Sequence, residues 1–113
     1  MSETCLFCRI VQGEIPATIV ASTDDAIAIR DIDPKAPVHV LVLPKQHLRS
    51  LNDATDPGLV GRLIALAADV ARKEGIADSG YRLVINTNEH GGQTVHHLHV
   101  HLLGGRPLRW PPG

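Results

Sequence analysis

"HLHVHLL", residues 97–103, is the stretch on which the reading of this chain turns. Histidine alternates with apolar residues, and side chains alternate faces along a β-strand. His97, His99 and His101 therefore share one face, about 6.6 Å apart at a rise of about 3.3 Å per residue. Leu98, Val100 and Leu102 take the other face, which reads as the core beneath a helix. Gly104-Gly105 closes the strand and His96 precedes it, so four of the seven histidines fall within six residues. Imidazoles on a buried strand are costly unless they find partners. Three in register point to chemistry.

Outward from that strand, the elements order themselves by period. "VHVLVLP" (38–44) reads as a strand ended by Pro44, with His39 inside it in need of a partner. "ATIVAS" (17–22) and "AIAIRDI" (26–32) read as two more strands around the turn "TDD", and "DPKAP" (33–37) as a turn. From Asp56 the period becomes helical: Leu59, Leu63, Leu66, Ala67 and Val70 recur on one face. Asp56 suits the N-cap, Pro57 the first helical position, Arg72 and Lys73 the last turn, and Gly75 the residue beyond. The spacing predicts a helix over 57–74. "YRLVINT" (81–87) returns to strand, "EHGGQT" (89–94) reads as a polar loop, and "CLFCRIVQ" (5–12) as a short helix ending at Gly13. No βαβ rhythm appears. The expected fold is α+β: an antiparallel sheet of about five strands with one long and one short helix, in a single domain over 1–113, with a Pro-rich tail at 106–113.

Composition narrows the function. Apolar residues make up 43%, charged residues 20%, and the formal net charge is −1, so no basic surface for nucleic acid is expected. The N-terminus lacks the basic start and long apolar run of a signal peptide, and no stretch approaches the ~20 apolar residues that cross a bilayer. The expected location is the cytoplasm, with no membrane partner.

The histidine row suits two chemistries. Neutral imidazole ligates metals. It also attacks phosphorus or carbon while neighbouring rings handle protons. "GGQT" supplies backbone N–H groups, an amide and a hydroxyl beside the row, the equipment for holding a phosphate, and this favours phosphoryl chemistry. Cys5 and Cys8, the two cysteines, are spaced C-x-x-C without a preceding strand, which leaves metal binding or two buried thiols.

The pattern H-φ-H-φ-H-φ-φ resembles the signature of the histidine triad superfamily. "FCRIVQGEIPATIV", "AIRDIDPKAPVHVLVLPKQH", "GYRLVIN" and "GGQTVHHLHVHLLGGRPLRWPPG" resemble its Hint branch over nearly the whole chain. The resemblance implies a HIT-like fold and hydrolysis of purine nucleoside phosphoramidates through a nucleotidyl-histidine intermediate, with binding of AMP or GMP. It implies His99 as nucleophile, with His101, His97 and His39 supporting it. It assigns Asp31 to the ribose, and Leu6, Phe7, Ile10 and Ile32 to the base. Asn86 falls to sugar and phosphate, Gly92, Gln93 and Thr94 to the phosphate loop, and Trp110 to a partner's active site in a homodimer. It further implies a structural zinc on Cys5, Cys8, His47 and His97, with no cofactor needed for the chemistry. His90 and His96 receive no role. The alternatives are a dinucleoside polyphosphate hydrolase or nucleotidyl transferase of the same superfamily, which the "WPPG" tail disfavours, a nucleotide-binding adaptor with incidental activity, and a zinc oxidoreductase or metallohydrolase using the triad as an open metal site.

Overall fold

The computed structural model describes residues 4–113. The order along the chain is helix α1 (Leu6–Val11), strands β1 (Ile19–Ser22), β2 (Ala26–Arg30) and β3 (Val38–Pro44), a 3₁₀ turn (Leu51–Asp53), helix α2 (Pro57–Lys73), strand β4 (Tyr81–Val84), a single-turn helix α3 (Asn88–Gly91) and strand β5 (Val100–Gly104). The five strands form one antiparallel sheet in the order β1-β2-β3-β5-β4. This is the expected α+β fold, with α3 and the 3₁₀ turn added.

Alternation in β2 and β3 builds two cores, one on each face of the sheet. Ala26, Ala28, Val40 and Val42 point under α2, where they meet Leu63, Leu66, Ala67 and Val70, with Leu98, Val100 and Leu102 from the histidine segment. Ile27, Ile29, Leu41 and Leu43 point the other way and are covered by Phe7, Ile10 and Val11 of α1. Helix α2 begins as its sequence dictates: Asp56 Oδ1 accepts from the Gly58 N–H at 2.9 Å and Pro57 stands first in the helix. Beyond its last turn, Gly75 takes φ +76°. Arg30 donates both arms to Glu74, at 2.7 and 3.1 Å, tying the end of β2 to the end of α2. Among the described residues no helix is long and apolar enough to cross a membrane.

Several boundaries differ from expectation. The histidine strand, expected over 97–103, pairs only over 100–104. Its ladder with β3 ends at Val42↔Val100, although β3 continues to Pro44 beside β2, and the Leu98 N–H donates instead to the Leu48 carbonyl at 2.7 Å. The strands expected at 17–22, 26–32 and 81–87 shorten to 19–22, 26–30 and 81–84. Helix α3, from Asn88, overlaps the expected loop 89–94, and its C-cap Gly92 adopts φ +79°, a left-handed conformation that favours glycine.

Candidate active site

His97 and His99 lie outside the ladder, yet the alternation holds. Leu98 enters the α2 core, while both imidazoles meet the Phe7 ring edge-on, with centroids 5.8 Å and 5.0 Å away. The His101 ring stacks edgewise on His99 at 4.9 Å. His39, on the neighbouring strand, is a diagonal neighbour, since Leu41 pairs with His101 and His39 with Leu103. His39, His97 and His99 are all buried.

Backbone partners decide where each proton sits. The Lys35 N–H donates to His39 Nδ1 at 3.0 Å, so neutral His39 carries its proton on Nε2. That N–H donates to His101 Nδ1 at 2.9 Å and leaves His101 with its own proton on Nε2. His99 Nδ1–H donates to the His97 carbonyl at 2.7 Å, so the His99 Nε2 lone pair is bare. His97 Nε2–H donates to the Pro44 carbonyl at 2.8 Å, so its Nδ1 is bare. Burial holds all four rings below the ordinary imidazole value, and His101 is pushed down to about 4, with the His99 and His39 rings adding to the effect. At neutral pH the cluster is therefore uncharged. Asp31, whose Oδ2 lies 3.5 Å from His39 Nε2, opposes that trend and favours a proton on His39, His99 and His101.

The bare Nδ1 of His97 faces a second constellation. It lies 3.4 Å from Cys5 Sγ, 3.5 Å from Cys8 Sγ and 3.3 Å from His47 Nδ1, and Cys8 Sγ lies 3.2 Å from His47 Nδ1. Sulfur and lone-pair nitrogen atoms gathered this closely fit the edges of a tetrahedron, with a centre about 2.0–2.1 Å from nitrogen and about 2.3 Å from sulfur. The spacing of the cysteines follows from α1: Cys5 is its N-cap, accepting the Cys8 N–H, so one turn brings both thiols together. Asp31, His39 and His101 also converge, but there the 2.9 Å contact is a hydrogen bond already oriented by Lys35.

The remaining expected residues divide among cavities. Leu6, Phe7, Ile10, Asp31 and Ile32 line one apolar cavity of about 230 Å³, together with Ile29 and Val95, which sequence reasoning did not select. Ile29 was legible by alternation with Ile27; Val95 carried no such signal. Asn86 lies apart, in a cleft with Arg82 and Val84. Trp110 is exposed, with the Arg82 guanidinium carbon 5.8 Å from its ring centre. Thr94 and Gly92 are exposed on the loop, but Gln93 is buried. Gln93 Nε2 donates to the carbonyls of Arg49 at 2.7 Å and Val95 at 3.1 Å, and its Oε1 accepts from the Asn88 N–H at 2.9 Å. The amide expected to hold a phosphate is thus consumed in shaping the loop; both of its hydrogens are spent.

Comparison with known proteins adds a separate line. The HIT domain family model matches residues 12–108. The chain is 50% identical to the purine nucleoside phosphoramidase of Escherichia coli K12, over 96% of this chain and 92% of that protein. It is 46% identical to adenylylsulfatase HINT1 of Arabidopsis thaliana, over 96% of this chain and 76% of that one. Among solved structures, a HIT family hydrolase from Legionella pneumophila superposes with a TM-score of 0.94 at 50% identity, covering 97% of this chain and all of that one.

Proposed function

The chain belongs to the HIT domain family, and from that premise we propose that it hydrolyses purine nucleoside phosphoramidates through a nucleotide covalently held on His99. The observation that carries this reading is the bare Nε2 of His99, fixed by the bond from its Nδ1–H to the His97 carbonyl. Its ring lies against Phe7, which lines the apolar cavity that also includes Asp31. The base enters that cavity and Asp31 takes the ribose hydroxyls. His99 Nε2 attacks the α-phosphorus, the Nε2–P bond forms and the P–N bond breaks. The leaving nitrogen collects a proton through His101 Nε2, the face of that ring turned away from His39. Water then attacks the adduct, its hydroxyl going to phosphorus and its proton back to the site, and Nε2 is freed. The two steps sum to phosphoramidate plus water giving nucleoside monophosphate plus amine. A neutral, desolvated imidazole suits the attack, and a positioned acid contributes about 10²–10⁴-fold.

The cysteine–histidine set would hold zinc through Cys5, Cys8, His47 and His97. Four protein ligands leave no open position, so the ion's contribution is structural. His97 would then serve both centres: its ring would help hold the ion, and its carbonyl orients His99. A homodimer completes the proposal, with Trp110, 79% exposed, reaching a second copy. The adenylylsulfatase relative supports a second reading, in which the same attack expels sulfate from an adenylyl anhydride.

Intact mass after brief mixing with adenosine 5′-phosphoramidate tests the central step. An adduct one adenylyl group heavier, carried by His99 and absent in His99→Ala, is expected. Undiminished turnover in His99→Ala sinks the reading.

A further inference from the structure

The histidine strand closes on Gly104-Gly105, and the chain then passes over the turn that precedes His39. Gly105 takes φ +92°, and a Cβ there would stand 2.9 Å from Pro37 Cβ, so glycine lets the tail and the turn approach this closely. The next residue uses that approach. Arg106 Nη2 donates to the Lys35 carbonyl at 2.9 Å, and its Nη1 to the Pro107 carbonyl at 3.0 Å. One planar guanidinium thus grips turn and tail at once. Lys35 is also the residue whose N–H fixes the His39 tautomer, and His39 in turn donates to His101 Nδ1. Within the turn, the Asp33 N–H donates to Asp31 Oδ1 at 2.8 Å and the Asp31 N–H to the His39 carbonyl at 3.0 Å. Further along the tail, Arg82 Nη2 donates to the Arg109 carbonyl at 3.0 Å, a separate tie that does not involve the turn.

We propose that Arg106 is a positioning residue for the His39–His101 pair. By holding the Lys35 carbonyl it keeps the Lys35 N–H against His39 Nδ1, and so keeps the His101 proton on Nε2, the nitrogen that serves the leaving group. The carbonyl and the N–H flank one Cα, so fixing the first limits the swing of the second. A charged donor makes this bond stronger than a neutral one would. The geometric part stands on the hydrogen bonds alone; the effect on turnover rests on the phosphoramidase reading. Arg106 is not among the described residues that line the cavity of Asp31 and Phe7, so its effect falls on kcat rather than on KM. Because Arg106 is exposed, that effect is modest, about twofold to tenfold.

The test begins on the full chain without substrate. Imidazole nitrogen NMR spectra and hydrogen exchange of the Lys35 amide are compared in wild type, Arg106→Met, Arg106→Lys and Arg82→Met. Wild type is expected to show Nδ1 bare and Nε2 protonated in both His39 and His101, with a protected Lys35 amide. Arg106→Met speeds that exchange by about threefold to tenfold and moves the His39 and His101 nitrogens toward a mixture of tautomers. Arg106→Lys, which keeps a charged donor, stays nearer wild type. Arg82→Met releases the far end of the tail and leaves the Lys35 amide protected. With adenosine 5′-phosphoramidate, Arg106→Met lowers kcat by about twofold to tenfold and barely changes KM. Lys35 exchange and imidazole signals unchanged in Arg106→Met, or altered equally in Arg82→Met, overturn the role of Arg106 and leave the phosphoramidase reading intact. Absence of hydrolysis by wild type removes that reading, while the spectra still decide the positioning.

Discussion

His39 has a single proton to place, because the Lys35 N–H already occupies its Nδ1. The proton goes to His101, and one backbone amide thereby orients two rings. His39→Ala leaves His101 Nδ1 without its donor; kcat is expected to fall about tenfold to a hundredfold, from the loss of one buried hydrogen bond, with a smaller change in KM. Protonation provides a second check. His101 titrates at about 4 in the folded chain against 6.5 when unperturbed, so between these values the unfolded state binds more protons. Its contribution to stability is complete above about pH 6.5 and is lost as pH falls toward about 4. Thermal unfolding across that window should show a falling Tm, and His101→Asn should flatten the slope. Gln93 illustrates what one side chain conceals in a sequence. It was read with the phosphate loop from its neighbours, but its amide bonds Asn88 and Val95 nearby and the Arg49 carbonyl, 44 residues away, a partner no local pattern reveals.

Among the elements, α1 has the most duties for its length. It places Cys5 and Cys8 one turn apart, sets Phe7 against His97 and His99, and covers Leu41 and Leu43. Cys5→Ala is expected to lower zinc content and Tm more than it lowers turnover; unchanged metal content, measured by elemental analysis, would count against the zinc proposal. At the other end of the sheet, β5 closes on glycine for a steric reason. A Cβ on Gly104 would stand 2.6 Å from Ile76 Cδ1 and 3.3 Å from Tyr81 Cβ. Gly104→Ala should cost about 1–3 kcal/mol by overpacking, read from denaturant unfolding. Helix α2 was legible almost to the residue, since its cap, its first-turn proline and its apolar stripe are local features. Strand ends were less legible. The histidine strand leaves β3 after Val100, two residues before β3 itself ends, and the Leu98 N–H finds its acceptor in the remote Leu48 carbonyl.

For the whole molecule, two cores on opposite faces of one sheet set the plan: α2 covers the first, and α1 with the histidine site covers the second. If Trp110 serves a second copy, sedimentation should give twice the chain mass, and a chain ending at Arg109 should lose turnover with little change in Tm. By itself the sequence determined which residues alternate, where α2 starts and stops, and that the histidines lie opposite Leu98, Val100 and Leu102, because periodicity and capping are short-range physics. Only the tertiary structure decided the tautomers, the convergence of Cys5 and Cys8 on His47 and His97, and the bond from Gln93 to the remote Arg49 carbonyl. Those depend on distances between segments remote in the chain, which are fixed when the strands pair and the helices pack.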